Sequence, residues 1–247
     1  MLRVLFRESC ESIDREYVRL GHTLGWRFVT GRKSTFAKRT EFLFISLNPG
    51  GDYDPPDHPR ESSEGGSSYL IESWKGKPPG QESLQVQFQR LIAKLQEVCG
   101  DENNLEYFID NMLLTAHFIP FRSPRFNSLH KKDESIKFAR ELWARIFRSI
   151  SPRIMITLNP ETFQHITEIL SASEGKLIEH RTFQTGWGVG TNKSIGCEVN
   201  KYERASKTVS ILRLPHLSTF KLFSRDSCEP YLNDVFTFLC STDFEKR

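Results

Sequence analysis

Four short apolar runs punctuate this chain, and each ends on a polar residue beside a proline or glycine. They are Phe42–Leu47 into Asn48-Pro49-Gly50-Gly51, Met112–Ala116 into His117-Phe118-Ile119-Pro120, Ile154–Leu158 into Asn159-Pro160, and Val209–Leu214 into Pro215-His216-Leu217-Ser218. Apolar runs of this length separated by helical stretches predict buried parallel strands with crossover helices. In open sheets of that kind, ligands bind just beyond the carboxyl ends of the strands. The pattern therefore aims Asn48, His117 and His216 at one crevice.

Between the runs the spacing is helical. A first helix is predicted over 8–20, with Ile13, Tyr17 and Leu20 on one face. Leu84, Phe88, Leu91, Ile92 and Leu95 predict a helix over 83–98 that stops at Gly100. A longer one is expected from about 133 to 150, ended by Pro152. Asn159-Pro160 opens a helix carrying Phe163, Ile166 and Leu170, and a last helix over 229–239 covers the sheet. Trp26 to Arg39, with five basic residues, reads as a basic loop or edge hairpin. Residues 49–82 are rich in Gly, Pro, Ser and Asp, while Tyr53, Tyr69 and Trp74 favour an ordered excursion across the crevice. Residues 180–207 alternate irregularly around Gly186-Trp187-Gly188-Val189-Gly190 and suggest an inserted β-hairpin.

The predicted fold is thus α/β: three layers, α/β/α, around a central, mainly parallel four-stranded sheet, plus the hairpin. One domain spanning 1–247 is expected, an N-terminal helix and basic segment (1–40) leading into a core (41–247). A formal charge of +3 is only mildly basic, so any nucleic-acid surface must come from local clustering. The five cysteines include no C-x-x-C pair, which argues against a metal site and a disulfide framework and for a reducing cytoplasm. Met1 to Arg7 lacks the apolar core of a signal peptide, and no run is long enough to span a membrane.

Asn-Pro-Gly-Gly is ordinary turn chemistry, yet Gly50-Gly51 also lets backbone N–H groups approach a ligand closely. Asn159, followed by Pro160 and Glu161, has the form of a helix N-cap, although it ends a strand at the same crevice and counts among the candidate substrate contacts. His216 precedes hydroxyls suited to a phosphate (Ser218, Thr219), cations that can neutralise one (Lys221, Arg225) and apolar side chains able to wedge into a base stack (Phe220, Leu222 or Phe223). Basic and aromatic groups interleave from Arg122 through Arg125 to Lys131, as a DNA backbone contact needs. Tyr53, Tyr69 and Trp74 are residue types that stack on a base, and more often types that fill a core.

Ile45-Ser46-Leu47-Asn48-Pro49-Gly50 is similar to the first motif of the mismatch-specific and single-strand-selective branches of the uracil-DNA glycosylase superfamily. Pro215-His216-Leu217-Ser218 resembles the second motif, His-Pro-Ser in many members, with leucine in place of the middle proline. The resemblance implies that Asn48 positions the attacking water and that His216 supports the leaving base, while the residues after it enter the duplex. Members that read uracil usually carry asparagine at the end of the second strand. His117 stands there, and with the long first loop this suits a roomier pocket, such as one for bulky modified cytosines of phage DNA excised in antiviral defence.

The expectation is a monofunctional DNA glycosylase that flips a modified or damaged pyrimidine and leaves an abasic site. Asn48 and His216 are its catalytic residues, with Asp52 an alternative water activator. Pro49, Gly50, Gly51, Tyr53, Tyr69, His117 and Asn159 are the candidate substrate contacts. Arg122, Arg125, Lys131, Ser218, Thr219, Phe220, Lys221 and Arg225 are the candidate DNA contacts. No metal or cofactor is expected, DNA is the partner, and the chain is read as a monomer. Alternatives are a uracil or mismatch repair glycosylase, a hydrolase or transferase of free nucleotides, and a non-catalytic DNA-binding protein of the same fold.

Overall fold

A computed structural model describes residues 2–173 and 175–241; residues 242–247, which the predicted core includes, lie outside the described residues. Each of the four apolar runs forms a strand: β1 (Phe42–Ser46), β2 (Leu113–His117), β3 (Ile154–Thr157) and β6 (Lys207–Arg213). They pair in parallel in the order β2-β1-β3-β6. The sheet does not stop there. β5 (Gly196–Arg204) joins β6 antiparallel, and β4 (Lys176–Gln184) joins β5 antiparallel. The sheet is therefore six-stranded and mixed, and the expected four-stranded sheet with a separate hairpin is corrected. The 180–207 stretch continues the sheet through β4, β5 and the loop 185–195.

Eight α-helices are assigned among the described residues: α1 (Leu2–Leu20), α2 (Ser68–Ile71), α3 (Ser83–Cys99), α4 (Leu105–Asn111), α5 (Lys132–Phe147), α6 (Pro160–Ala172), α7 (Leu217–Phe220) and α8 (Glu229–Cys240). Side chains alternate across the strands, as the pleat requires. Leu43 and Ile45 enter one core with α1, α5 and α6, whereas Phe42 and Phe44 enter a second with α3, α4 and α8. Helix ends follow local chemistry. Glu82 and Gln85 form a capping box at α3, and Gly100, at φ 70°, closes it in the left-handed conformation.

Two further expectations change. The basic segment after Trp26, expected as a basic loop or edge hairpin, is a loop only from residue 31 onward, where Lys33, Lys38 and Arg39 are exposed. Its residues 26–30 lie extended and buried along the outer edge of β2, with Arg27 N donating to Pro120 O, His117 N to Phe28 O and Thr30 N to Thr115 O. Residues 60–63 pair in turn with the far side of this segment, through Phe28 N to Arg60 O and Ser63 N to Gly31 O. The cysteines are not all unpaired: Cys99 and Cys240 form a disulfide that ties the ends of α3 and α8, while Cys10, Cys197 and Cys228 are free and buried. No helix among the described residues is long and apolar enough to cross a membrane.

Candidate active site at the carboxyl edge of the sheet

Register brings the ends of the two motif strands level with each other. Phe44 pairs with Ile156, and Ile156 with Leu212. Asn48 lies four residues beyond Phe44 and His216 four beyond Leu212. Only β3 separates their strands, a lateral gap of roughly 10 Å. His117 pairs with Ser46 at the same edge.

The Asn48 side chain has a defined polarity. Its Nδ2 donates to Pro49 O and Ser123 Oγ, both at 3.0 Å, and to Phe121 O at 3.5 Å. Carbonyl acceptors fix which end of the amide is nitrogen. Oδ1 accepts no hydrogen bond from the described residues and remains free to accept one. Pro49 is buried and receives Ser123 N on its carbonyl, whereas Gly50, Gly51, Asp52 and Tyr53 are exposed. Gly51, at φ 118°, crosses directly over Arg122: a Cβ there would sit 3.1 Å from Arg122 Nη1.

His117 does not open into the crevice. It is buried, its Nδ1 lies 2.7 Å from Ser46 Oγ, and burial, then Arg27, Arg122 and His58, hold its pKa well below the ordinary histidine value. It belongs to a polar cluster whose other members sequence reasoning missed. Arg27, 3% exposed, makes a bidentate pair with Glu72, with Nη2 at 2.6 Å and Nη1 at 3.0 Å. Trp74 Nε1 also donates to Glu72. Arg122 donates through Nη1 to Gly50 O, and its Nη2 lies 3.0 Å from His58 Nδ1. Arg27 Nη1 lies 2.8 Å from His58 Nε2. Burial first, then Arg27, push the His58 pKa down to about 4. Burial is the largest influence on Glu72 and opposes its ionisation, but the hydrogen bonds and charge of Arg27, with Trp74 and His58, together outweigh it and hold the carboxyl below its ordinary value.

Arg122 is thus a buried member of this cluster rather than an exposed DNA contact. Tyr69 is also withdrawn from any base-stacking role. It is 4% exposed and stacked on Phe88 at 3.9 Å between ring centroids. Asn159 caps α6, Oδ1 accepting from Thr162 N at 2.8 Å, so that side chain is occupied structurally. Only its capping signal was legible.

His216 stands at the N-terminus of α7 and is exposed. Its Nδ1 lies 3.0 Å from Ser218 Oγ. Where the Ser218 hydroxyl donates, Nδ1 accepts and Nε2 carries the ring proton. Surrounding groups crowd the ring and, with the Lys75 ammonium, lower its pKa against the pull of Glu82, which favours the neutral form. The expected wedge is less free than its sequence suggests. Phe220 packs edge-on against Trp187 at 5.2 Å, Leu222 is buried, and Phe223 meets Phe236. Thr219, Lys221 and Arg225 are exposed on this rim, as are Arg125 and Lys131 beyond β2. Arg225 Nε donates to Phe220 O, and Lys131 lies 3.9 Å from Glu134. Beside α7, a groove of about 340 Å³ is lined by Arg90, Lys94, Phe223, Arg225, Asp226 and Glu229 among others. The chain matches no protein-family model and no curated protein.

Proposed function

We propose that this protein is a monofunctional DNA glycosylase acting on a modified or damaged pyrimidine, the bulky modified cytosines of phage DNA being the substrate class of first choice. One observation carries the reading: the amide nitrogen of Asn48 is anchored on three acceptors, which leaves its carbonyl oxygen as a fixed acceptor at the same sheet edge where β6 delivers the exposed His216. Hydrolysis of an N-glycosidic bond needs an acceptor and a donor on opposite sides of the anomeric carbon. Positive charge develops on the sugar and negative charge on the departing base.

In this mechanism a flipped nucleotide enters between the ends of β1 and β6. Asn48 Oδ1 accepts a hydrogen bond from the attacking water and aims its lone pair at the anomeric carbon. Asn48 is too weakly basic to remove the proton early, so attack follows bond cleavage; exposed Asp52 is the nearest carboxylate in sequence able to take that proton. His216 Nε2 donates to the base as its negative charge grows. Arg125, Lys131, Thr219, Lys221 and Arg225 line the rim where the strand would lie, and flipping costs a few kcal/mol that such contacts offset.

The test is incubation with oligonucleotides and phage DNAs carrying different pyrimidine modifications, followed by mass analysis of released bases. Release of a free base and an abasic strand is expected. Asn48→Ala and His216→Ala are each expected to lower the rate by on the order of 100- to 1000-fold. Base release that survives both substitutions would remove the assigned roles.

A further inference from the structure

The cluster beneath Gly50 and Gly51 has more donors than acceptors. Arg27 and Arg122 reach the same imidazole from opposite ring nitrogens, at 2.8 and 3.0 Å. A guanidinium has no acceptor, and a neutral imidazole has one. One of these contacts therefore sets an N–H against an N–H. The Nε atoms of both arginines are buried, and neither has a hydrogen-bond partner.

The charges are equally unbalanced. Glu72 offsets Arg27, and Asp54 is engaged with Arg60 at 2.7 Å. Arg122, 9% exposed, has no carboxylate at ion-pair distance among the described residues. A buried cation without a counter-charge is costly, and the cost falls when an anion arrives. The way in is at His58, whose side chain is 21% exposed.

The geometry points to a phosphate-binding site formed by Arg27 and Arg122, which the His58 side chain plugs in the free protein and which a phosphate group takes by displacing it. A phosphate offers several oxygens to donors arriving from separate side chains, and planar guanidiniums suit it in particular. The imidazole is a poor substitute because it satisfies only one of its two neighbours. The site lies two residues past Asn48, whose Nδ2 is bonded to Ser123, the neighbour of Arg122. The phosphate comes from a DNA strand or from a free nucleotide, which the experiment separates, and the site does not depend on base release.

The full-length chain is melted in increasing inorganic phosphate exchanged against chloride at constant ionic strength and pH 7.5. The melting temperature is expected to rise with phosphate. His58→Glu, which sets a permanent carboxylate between the arginines, is expected to melt higher without phosphate and to lose the response. A flat wild-type titration, or a His58→Glu response equal to the wild type, overturns the site. Should the variant fail to fold, the shape of the wild-type response decides: growth as the logarithm of phosphate concentration above a millimolar threshold is expected for a site, and a rise linear in concentration, as exclusion from the surface gives, overturns it. Two further arms identify the source. A DNA source predicts that His58→Glu, which fills the site with a carboxylate, weakens oligonucleotide binding by roughly 10- to 100-fold. A free-nucleotide source predicts that His58→Glu leaves oligonucleotide binding unchanged and abolishes the binding of a nucleoside monophosphate. None of these readouts counts released base, so the site and the glycosylase reading fail separately.

Discussion

At the scale of single residues, chemistry at the strand ends depends on which atoms are already committed. Asn48 spends its nitrogen on the turn and keeps its oxygen. His216 has one hydroxyl within hydrogen-bond distance, and in the proposed mechanism that hydroxyl donates and sets the tautomer. Ser218→Ala frees Nδ1 to carry the proton and misdirects the donor. It is expected to slow base release by about tenfold, less than loss of the imidazole, with DNA affinity nearly unchanged. Single-turnover kinetics beside a binding titration measures this, and an unchanged rate would show that Ser218 does not set the tautomer. The sequence made Asn48, His117 and His216 visible because each follows an apolar run. Arg27, His58 and Glu72 were not visible. Their partners lie 31 to 64 positions away along the chain, and periodicity carries no information about pairing at that range.

At the scale of elements, the legible parts are those whose burial is one-sided or complete. All four apolar runs formed strands, and the helix with Phe88, Leu91, Ile92 and Leu95 inward formed as α3. The expected hairpin over 180–207 took in only the second half of β4, because the strand is largely exposed and carries Lys176, Glu179, His180 and Arg181, so it offers no alternation from which to read its start. α4 is only seven residues long, although Asn104, which accepts from Glu106 N, is a start signal that could have found it. The basic run after Trp26 misled because Arg27 is charged yet buried by its pairing with Glu72. The Cys99–Cys240 disulfide was equally hidden, since its cysteines stand 141 positions apart. Closing so long a loop restricts the unfolded chain. Cys99→Ser is expected to lower stability by about 2–5 kcal/mol, read by urea denaturation without reductant. With excess reductant the variant and the wild type should converge; a difference that persists would assign the loss to packing.

For the molecule as a whole, buried neutral histidines set the response to acid. His22, 8% exposed and stacked on Phe121, has its pKa pushed down to about 4 by burial and then by His130. His58 falls equally far. The unfolded chain takes up protons at these positions near the ordinary value of 6.5, whereas the folded chain resists until about 4. Stability is therefore full above pH 6.5, declines as pH falls toward 4, and levels off below that for these two groups. Each contributes roughly 3 kcal/mol to the decline at most. His22→Gln should flatten the profile between those limits, as measured by urea midpoints across pH; a profile as steep as the wild type would assign the acid sensitivity elsewhere.

The outermost strand, β4, has one long side that no neighbour occupies within the sheet. Open margins of this sort invite a foreign strand to dock and start a ribbon of stacked copies. Here the invitation is withdrawn by ionic side chains along the margin, with the Arg181 guanidinium resting on the Phe238 ring 4.4 Å away. The same residues that blur where this strand begins in the hydrophobic pattern keep the folded chain from serving as a template for aggregation.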